Sequence, residues 1–189
     1  MARAANGTGT AVALGSVGQG LARAREVLFL ADGAEWPWNL KKERWRHARE
    51  LLDFYHAGQH LGELGRALHG EKQPELSQWV EPVRHQLRYG KERQALQQIS
   101  RLSKRRGQPG KVIRREKNYF QNRSQRMNYQ AIARRGWPIG SGAVESACRQ
   151  KQCRFKRCGQ FWSQAGLRNL CARDEARRNH HWDDLWTLN

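Results

Sequence analysis

Two short apolar runs constrain the fold of this chain more than any other feature. They are VLFLA, Val27–Ala31, and the segment LLDFY, Leu51–Tyr55. Each is too short to bury one side of a helix and carries the aliphatic and aromatic content of a buried strand. Between them lies EWPWNLKKERWRHARE, whose second half has a helix-forming composition. The order strand, helix, strand over about 30 residues suits adjacent parallel strands joined by a crossover. The fold class expected is therefore α/β.

The rest of the chain reads as predominantly helical. From His56 to about Arg135 the sequence is rich in Leu, Gln, Arg, Lys, Glu and Ala with recurrent apolar spacing, and Leu87, Leu96, Ile99 and Leu102 supply core positions. Ser103–Lys111, SKRRGQPGK, is the clearest internal loop, because two glycines and a proline interrupt it. Leu21–Glu26 reads as helical. The basic tail is helical to about Arg157, turns at Gly159 and resumes as SQAGLRNLCARDEARRN. The expected organisation is a two-strand segment (1–56), a helical insertion (57–135) and a basic helical segment (136–189). Trp162, with Trp36 and Trp38, is expected in the core; base stacking is the alternative for Trp162.

The formal charge is +18 over 189 residues. Residues 1–70 carry 9 basic and 7 acidic side chains, whereas 71–189 carry 26 and 10. So lopsided an excess points to a polyanionic partner. No apolar run reaches the roughly 20 residues needed to cross a bilayer, and no signal-peptide core is visible, so a soluble cytoplasmic protein without membrane partners is expected. Cys148, Cys153, Cys158 and Cys171 match none of the usual zinc spacings and read as free thiols.

Three acids stand beside structural punctuation. Glu145 follows the glycine turn of GWPIGSGAVESACR, where Gly140 and Gly142 end one element and a helix opens from a Gly or Ser cap. Such an acid either complements the helix dipole, worth about 0.3–1 kcal/mol, or serves as a metal ligand. Asp32, in FLADGAEW, is either a turn-forming residue of the Asp-Gly pair or a ligand at a strand end. Asp53 and His56 form a D-x2-H pair that either fixes a strand end structurally or acts in chemistry. With His60 they make a conceivable helical zinc set, though without the Glu of H-E-x-x-H. Carboxylates on rigid elements are what two-metal phosphodiester chemistry requires. Lys151, Arg154, Lys156 and Arg157 follow Glu145 closely and read as phosphate-binding groups.

ADGAEWPWNL, LLDFYHAGQHL, NYFQNRSQRMNY, the GSGAVESACRQKQCRFKRCGQFWS block and DEARRNHHWDDLW, in this order, resemble the C-terminal half of bacterial insertion-sequence transposases of the Kra group, over about Val27–Trp186. These are relatives of the Mutator-like DDE transposases. The resemblance implies an RNase H-like core, only partly present, with a large helical insertion between the second-Asp strand and the catalytic-Glu helix. It implies catalytic, metal-binding roles for Asp32 (in the DGA motif) and Glu145 (in G-S-G-x-V-E-S). Asp53 and His56 fall on the C/D-x2-H signature rather than the metal triad. Mg²⁺ or Mn²⁺ is the implied cofactor, DNA (transposon ends and target) the implied partner, and a homo-oligomer the implied working form. The family's first catalytic Asp lies upstream of the DGA motif, and no Asp precedes Asp32 here. A fragment is therefore expected, binding duplex DNA in a salt-sensitive way without cleaving or joining it. The competing expectation is a non-catalytic DNA-binding remnant, with a nuclease or zinc hydrolase more distant.

Overall fold

The computed structural model describes residues 24–71, 74–103, 105–178 and 180–187. These form two compact units, one ending at Ser141 and the other beginning at Gly142. The described residues are predominantly helical with one two-stranded parallel sheet.

Among the described residues the first unit opens with β1 (Leu28–Ala31), crosses through α1 (Glu35–Arg44) and returns as β2 (Arg49–Leu52). The strands pair in parallel, with Leu28 opposite Arg49 and Ala31 opposite Leu52. Five helices follow: α2 (Phe54–His69), α3 (Glu75–Arg88), α4 (Glu92–Ser100), α5 (Gly107–Asn122) and α6 (Tyr129–Arg134). Helix α2 is the spine. It buries Ala57, Leu61, Leu64 and Gly65, the i, i+4, i+7, i+8 stripe of an amphipathic helix, and packs against both α3 and α5. At Gly65 the approach of α3 is so close that a Cβ would lie 2.6 Å from Leu76 Cδ1. Leu51, Leu52, Leu61, Leu64, Val83, Leu87, Ile99, Phe120 and Tyr129 belong to one buried cluster, so the strand segment and the helices after residue 57 share a single core. Leu96 and Leu102 pack on its margin.

Several boundaries differ from the sequence reading. Strand β2 takes Arg49–Leu52 and the helix begins at Phe54, because Asp53 caps it and ends the strand. Helix α1 occupies the first half of the aromatic-rich segment, since Pro37 falls in the first turn, where a missing N–H costs no helical bond. Residues 24–26 are not helical; Glu26 is drawn instead to Arg49 and Arg135, at 3.0 and 2.7 Å. The rest of the expected Leu21–Glu26 helix lies outside the described residues. The expected loop Ser103–Lys111 is helical from Gly107, and Pro109 again sits in a first turn. Here Gly110 is required: a Cβ would lie 1.8 Å from the carbonyl oxygen of Arg105, which folds back on the helix. Trp38 is buried, but Trp36, on the opposite side of α1, is 65% exposed.

The second unit consists of α7 (Gly142–Phe155), α8 (Gln164–Arg178) and a 3-10 turn at Asp183–Leu185. Gly159 reverses the chain with φ of 76°. Arg178 ties the two helices, donating to Asp174 Oδ2 (2.7 Å) and to Gln150 Oε1 (2.8 Å). Trp162 donates its indole N–H to the Phe155 carbonyl at 2.9 Å and remains 41% exposed. No described helix is long and apolar enough to cross a membrane.

A candidate acidic site at the strand ends

Because Ala31 and Leu52 are register partners, the next residues, Asp32 and Asp53, leave the sheet side by side at the carboxyl ends of parallel strands. The Asp53 amide donates to the Ala31 carbonyl at 2.9 Å. Sites in parallel sheets form characteristically at this edge. The two acids have different environments.

Asp53 is wholly buried and fully engaged. Its Oδ1 accepts from the His56 amide (2.9 Å), capping α2, and its Oδ2 accepts from the Ser141 amide (2.5 Å). Burial pushes its carboxyl up, but the bonds from Ser141, His56 and Tyr55 outweigh this and hold it below its ordinary value. The D-x2-H pair is thus realised through the His56 backbone rather than its ring.

Asp32 is held differently. Its Oδ1 accepts from the Ala34 amide (3.0 Å), and its backbone carbonyl accepts from the Trp38 indole (3.0 Å). Its Oδ2 accepts no hydrogen bond among the described residues. Of the two strand-end acids, Asp32 is therefore the one whose carboxylate retains an uncommitted oxygen.

Helix α5 buttresses the Asp32 turn. Arg123 donates to the Gly33 carbonyl (2.5 Å) and lies over the Tyr119 ring, 4.4 Å from its centroid. The other side of Tyr119 stacks on His60 at 3.5 Å, and His60 Nδ1 lies 2.6 Å from Oε2 of the fully buried Glu116. Burial pushes the Tyr119 phenol up to about 12, so it stays protonated at neutral pH. Its hydroxyl is buried without a hydrogen-bond partner. A Cβ on Gly33 would meet the Tyr119 hydroxyl oxygen at 3.1 Å and the ring Cε2 at 2.5 Å. With the ring fixed on both sides, it cannot move aside cheaply. Gly33→Ala is expected to cost about 1–3 kcal/mol through overpacking, read as a lower urea midpoint at unchanged m-value.

A carboxylate oxygen at a strand end is the kind of donor that a hard, oxygen-preferring cation such as Mg²⁺ or Mn²⁺ takes, whereas the protonated Tyr119 phenol adds no anionic ligand. The set of Asp53, His56 and His60 does not suit zinc. Asp53 is committed to amides and His60 to Glu116, so that set is not gathered. The buttress of Tyr119, Arg123, His60 and Glu116 was not assigned from sequence. Its visible trace was the NYFQNRSQRMNY motif, which carries the resemblance but no spacing that announces a role.

In the second unit, Glu145 lies in the first turn of α7 and is exposed. Arg154, Lys156 and Arg157 are exposed and Lys151 half-buried. The hydrogen bond from Arg178 holds the Asp174 carboxyl below its ordinary value, with Arg154 and Lys151 adding to the effect. Cys148, Cys153, Cys158 and Cys171 are not joined in disulfides.

The chain matches no protein-family model, no curated protein and no solved structure.

Proposed function

We propose that this chain carries part of the catalytic centre and DNA-binding surface of an insertion-sequence transposase of the DDE type, acting on phosphodiesters with divalent metal. The observation that carries this reading is Asp32: an acid at the carboxyl end of a parallel strand, with one oxygen uncommitted, in a chain of charge +18. The β1–α1–β2 crossover is compatible with the RNase H-like core that the sequence motifs imply.

In this reading Asp32 and Glu145 are the metal-binding carboxylates. Mg²⁺ or Mn²⁺, when bound, supplies charge that activates the attacking oxygen and stabilises the leaving one. Asp53, through its bonds to the His56 and Ser141 amides, keeps the strand end in place. Lys151, Arg154, Lys156 and Arg157 neutralise DNA phosphates. The second reading, DNA binding without catalysis, rests on the basic excess alone.

Mn²⁺ binding followed by electron paramagnetic resonance separates the two. Asp32→Asn and Glu145→Gln are each expected to weaken Mn²⁺ binding at least about tenfold while leaving duplex DNA affinity within about twofold. Unchanged Mn²⁺ affinity in both variants would remove the metal role and leave only DNA binding.

A further inference from the structure

We infer that the first unit holds a second nucleic-acid contact, a groove on α5 that grips the DNA phosphodiester backbone without reading its bases. This rests on the DNA-directed reading above but uses none of the residues assigned there.

The groove is a cavity of about 470 Å³ that Leu102, Ser103 and Arg105 line on one side and α5 on the other. Its polar lining is Ser103, Arg105, Arg114, Lys117, Asn118 and Gln121, with no carboxylate. Lys117 and Gln121 also border a neighbouring cavity of about 520 Å³ between α4 and α5, which likewise has no acid in its lining. The two cavities share Lys117 and Gln121 in their linings.

The pairing of charges makes this groove informative. Elsewhere in the unit, arginines beside carboxylates use them: Arg49 and Arg135 share Glu26, Arg66 pairs with Glu63, and Arg126 pairs with Glu50. Around the groove there is nothing to use. Between Arg101 and Arg126 the only acid is Glu116, which is fully buried and held by His60 and Arg115. Arg105 and Arg114 are exposed and have no carboxylate partner among the described residues. Lys117 spends one N–H on the Leu102 carbonyl, at 3.0 Å, and keeps two donors. Like charges gathered this way repel and destabilise the helix that carries them, an arrangement offset when a polyanion is bound.

The lining also selects the kind of polyanion. Guanidinium, ammonium, amide and hydroxyl donors suit phosphate oxygens. No aromatic ring lines the first cavity, so base stacking has no platform there, and the contact is independent of sequence. The close turn that brings the Arg105 carbonyl onto Gly110 fixes the Arg105 wall of the groove against α5.

The test compares two triple variants of the full chain by fluorescence anisotropy on a random-sequence duplex over a salt series. Neutralising the groove (Arg105→Gln, Arg114→Gln, Lys117→Gln) should weaken binding about 10- to 100-fold near 0.1 M salt. It should also reduce the slope of log affinity against log salt by about 2 to 3. Neutralising three exposed cations elsewhere (Lys42→Gln, Lys91→Gln, Arg93→Gln) removes the same charge and should change the slope by less than about 1. Because Lys117 also holds the Leu102 carbonyl, the double variant Arg105→Gln, Arg114→Gln is measured as well and should show about two-thirds of the triple variant's change in slope at unchanged thermal stability. An unchanged slope in the groove variants overturns the inference. So does displacement of the duplex by polyglutamate at equal charge concentration, which assigns the groove to an acidic protein. Mn²⁺ binding at Asp32 and Glu145 is unaffected by either triple variant, so failure of the groove and failure of the metal reading are seen separately.

Discussion

Asp53→Ala is expected to destabilise the first unit by about 3 kcal/mol, with loss of cooperative unfolding at physiological temperature if the unit is no more than ordinarily stable. The side chain is wholly buried and its two oxygens serve two amides, His56 at the start of α2 and Ser141 at the end of the unit. Losing an N-cap costs about 1 kcal/mol, up to about 2. Leaving the partly buried Ser141 amide without this acceptor adds about 1 kcal/mol or more. Asp53→Asn keeps one carbonyl oxygen and should lose roughly half as much. Chemical denaturation with circular dichroism checks both. The sign of the pH dependence follows. Burial raises the Asp53 carboxyl, but the hydrogen bonds it accepts bring it below its ordinary 3.8 in the folded state. Its stabilisation is therefore complete above that value and is lost as pH falls through the lower folded value. In Asp53→Ala the acid limb of the stability profile should be shallower than in the parent.

His60→Ala is the second large effect, expected at about 3 kcal/mol. It removes the ring stacked on Tyr119 and leaves Glu116, fully buried, with only Arg115 as ionic partner. Burial raises the Glu116 carboxyl, and the bonds from His60 and Arg115 more than reverse this. Without His60, Glu116 takes up a proton at higher pH in the folded state, so less stability is lost on acidification and the acid limb should be shallower than in the parent. The double variant His60→Ala, Glu116→Leu removes the stranded charge and should be more stable than His60→Ala alone. A double variant as unstable as the sum of the two single changes would show that the pair is not coupled.

The parallel strand pair was legible because its cues are local: VLFLA and LLDFY are apolar, short and separated by a crossover's length. The exact ends were not. Whether Asp53 continues a strand or caps a helix depends on the Ser141 amide, which lies 88 residues away in sequence. The Gly-Gln-Pro-Gly segment read as a loop for a similar reason. Glycine and proline argue against helix only in its interior, and here they occupy a first turn held by the Arg105 carbonyl. Trp36 and Trp38 have equal claims to the core by hydrophobicity. Only the α1 periodicity separates them, turning one to the Asp32 carbonyl and the other to solvent. At the acidic site, Asp32 announced itself through the Asp-Gly pair. Tyr119, Arg123, His60 and Glu116 could not, since what unites them is a stack of rings and one arginine reaching the Gly33 carbonyl.

Trp38 gives this site an optical handle. Its indole is buried, donates to the Asp32 carbonyl and lies 4.2 Å beneath the Arg126 guanidinium, whereas Trp36, Trp162, Trp182 and Trp186 are exposed. Its emission is set by the same turn that carries Asp32. A cation settling there, or the turn fraying away from α1, changes the quenching and the polarity that this one fluorophore senses. With Trp36, Trp45, Trp79, Trp137, Trp162, Trp182 and Trp186 replaced by phenylalanine, the strand end becomes a reporter of its own occupancy.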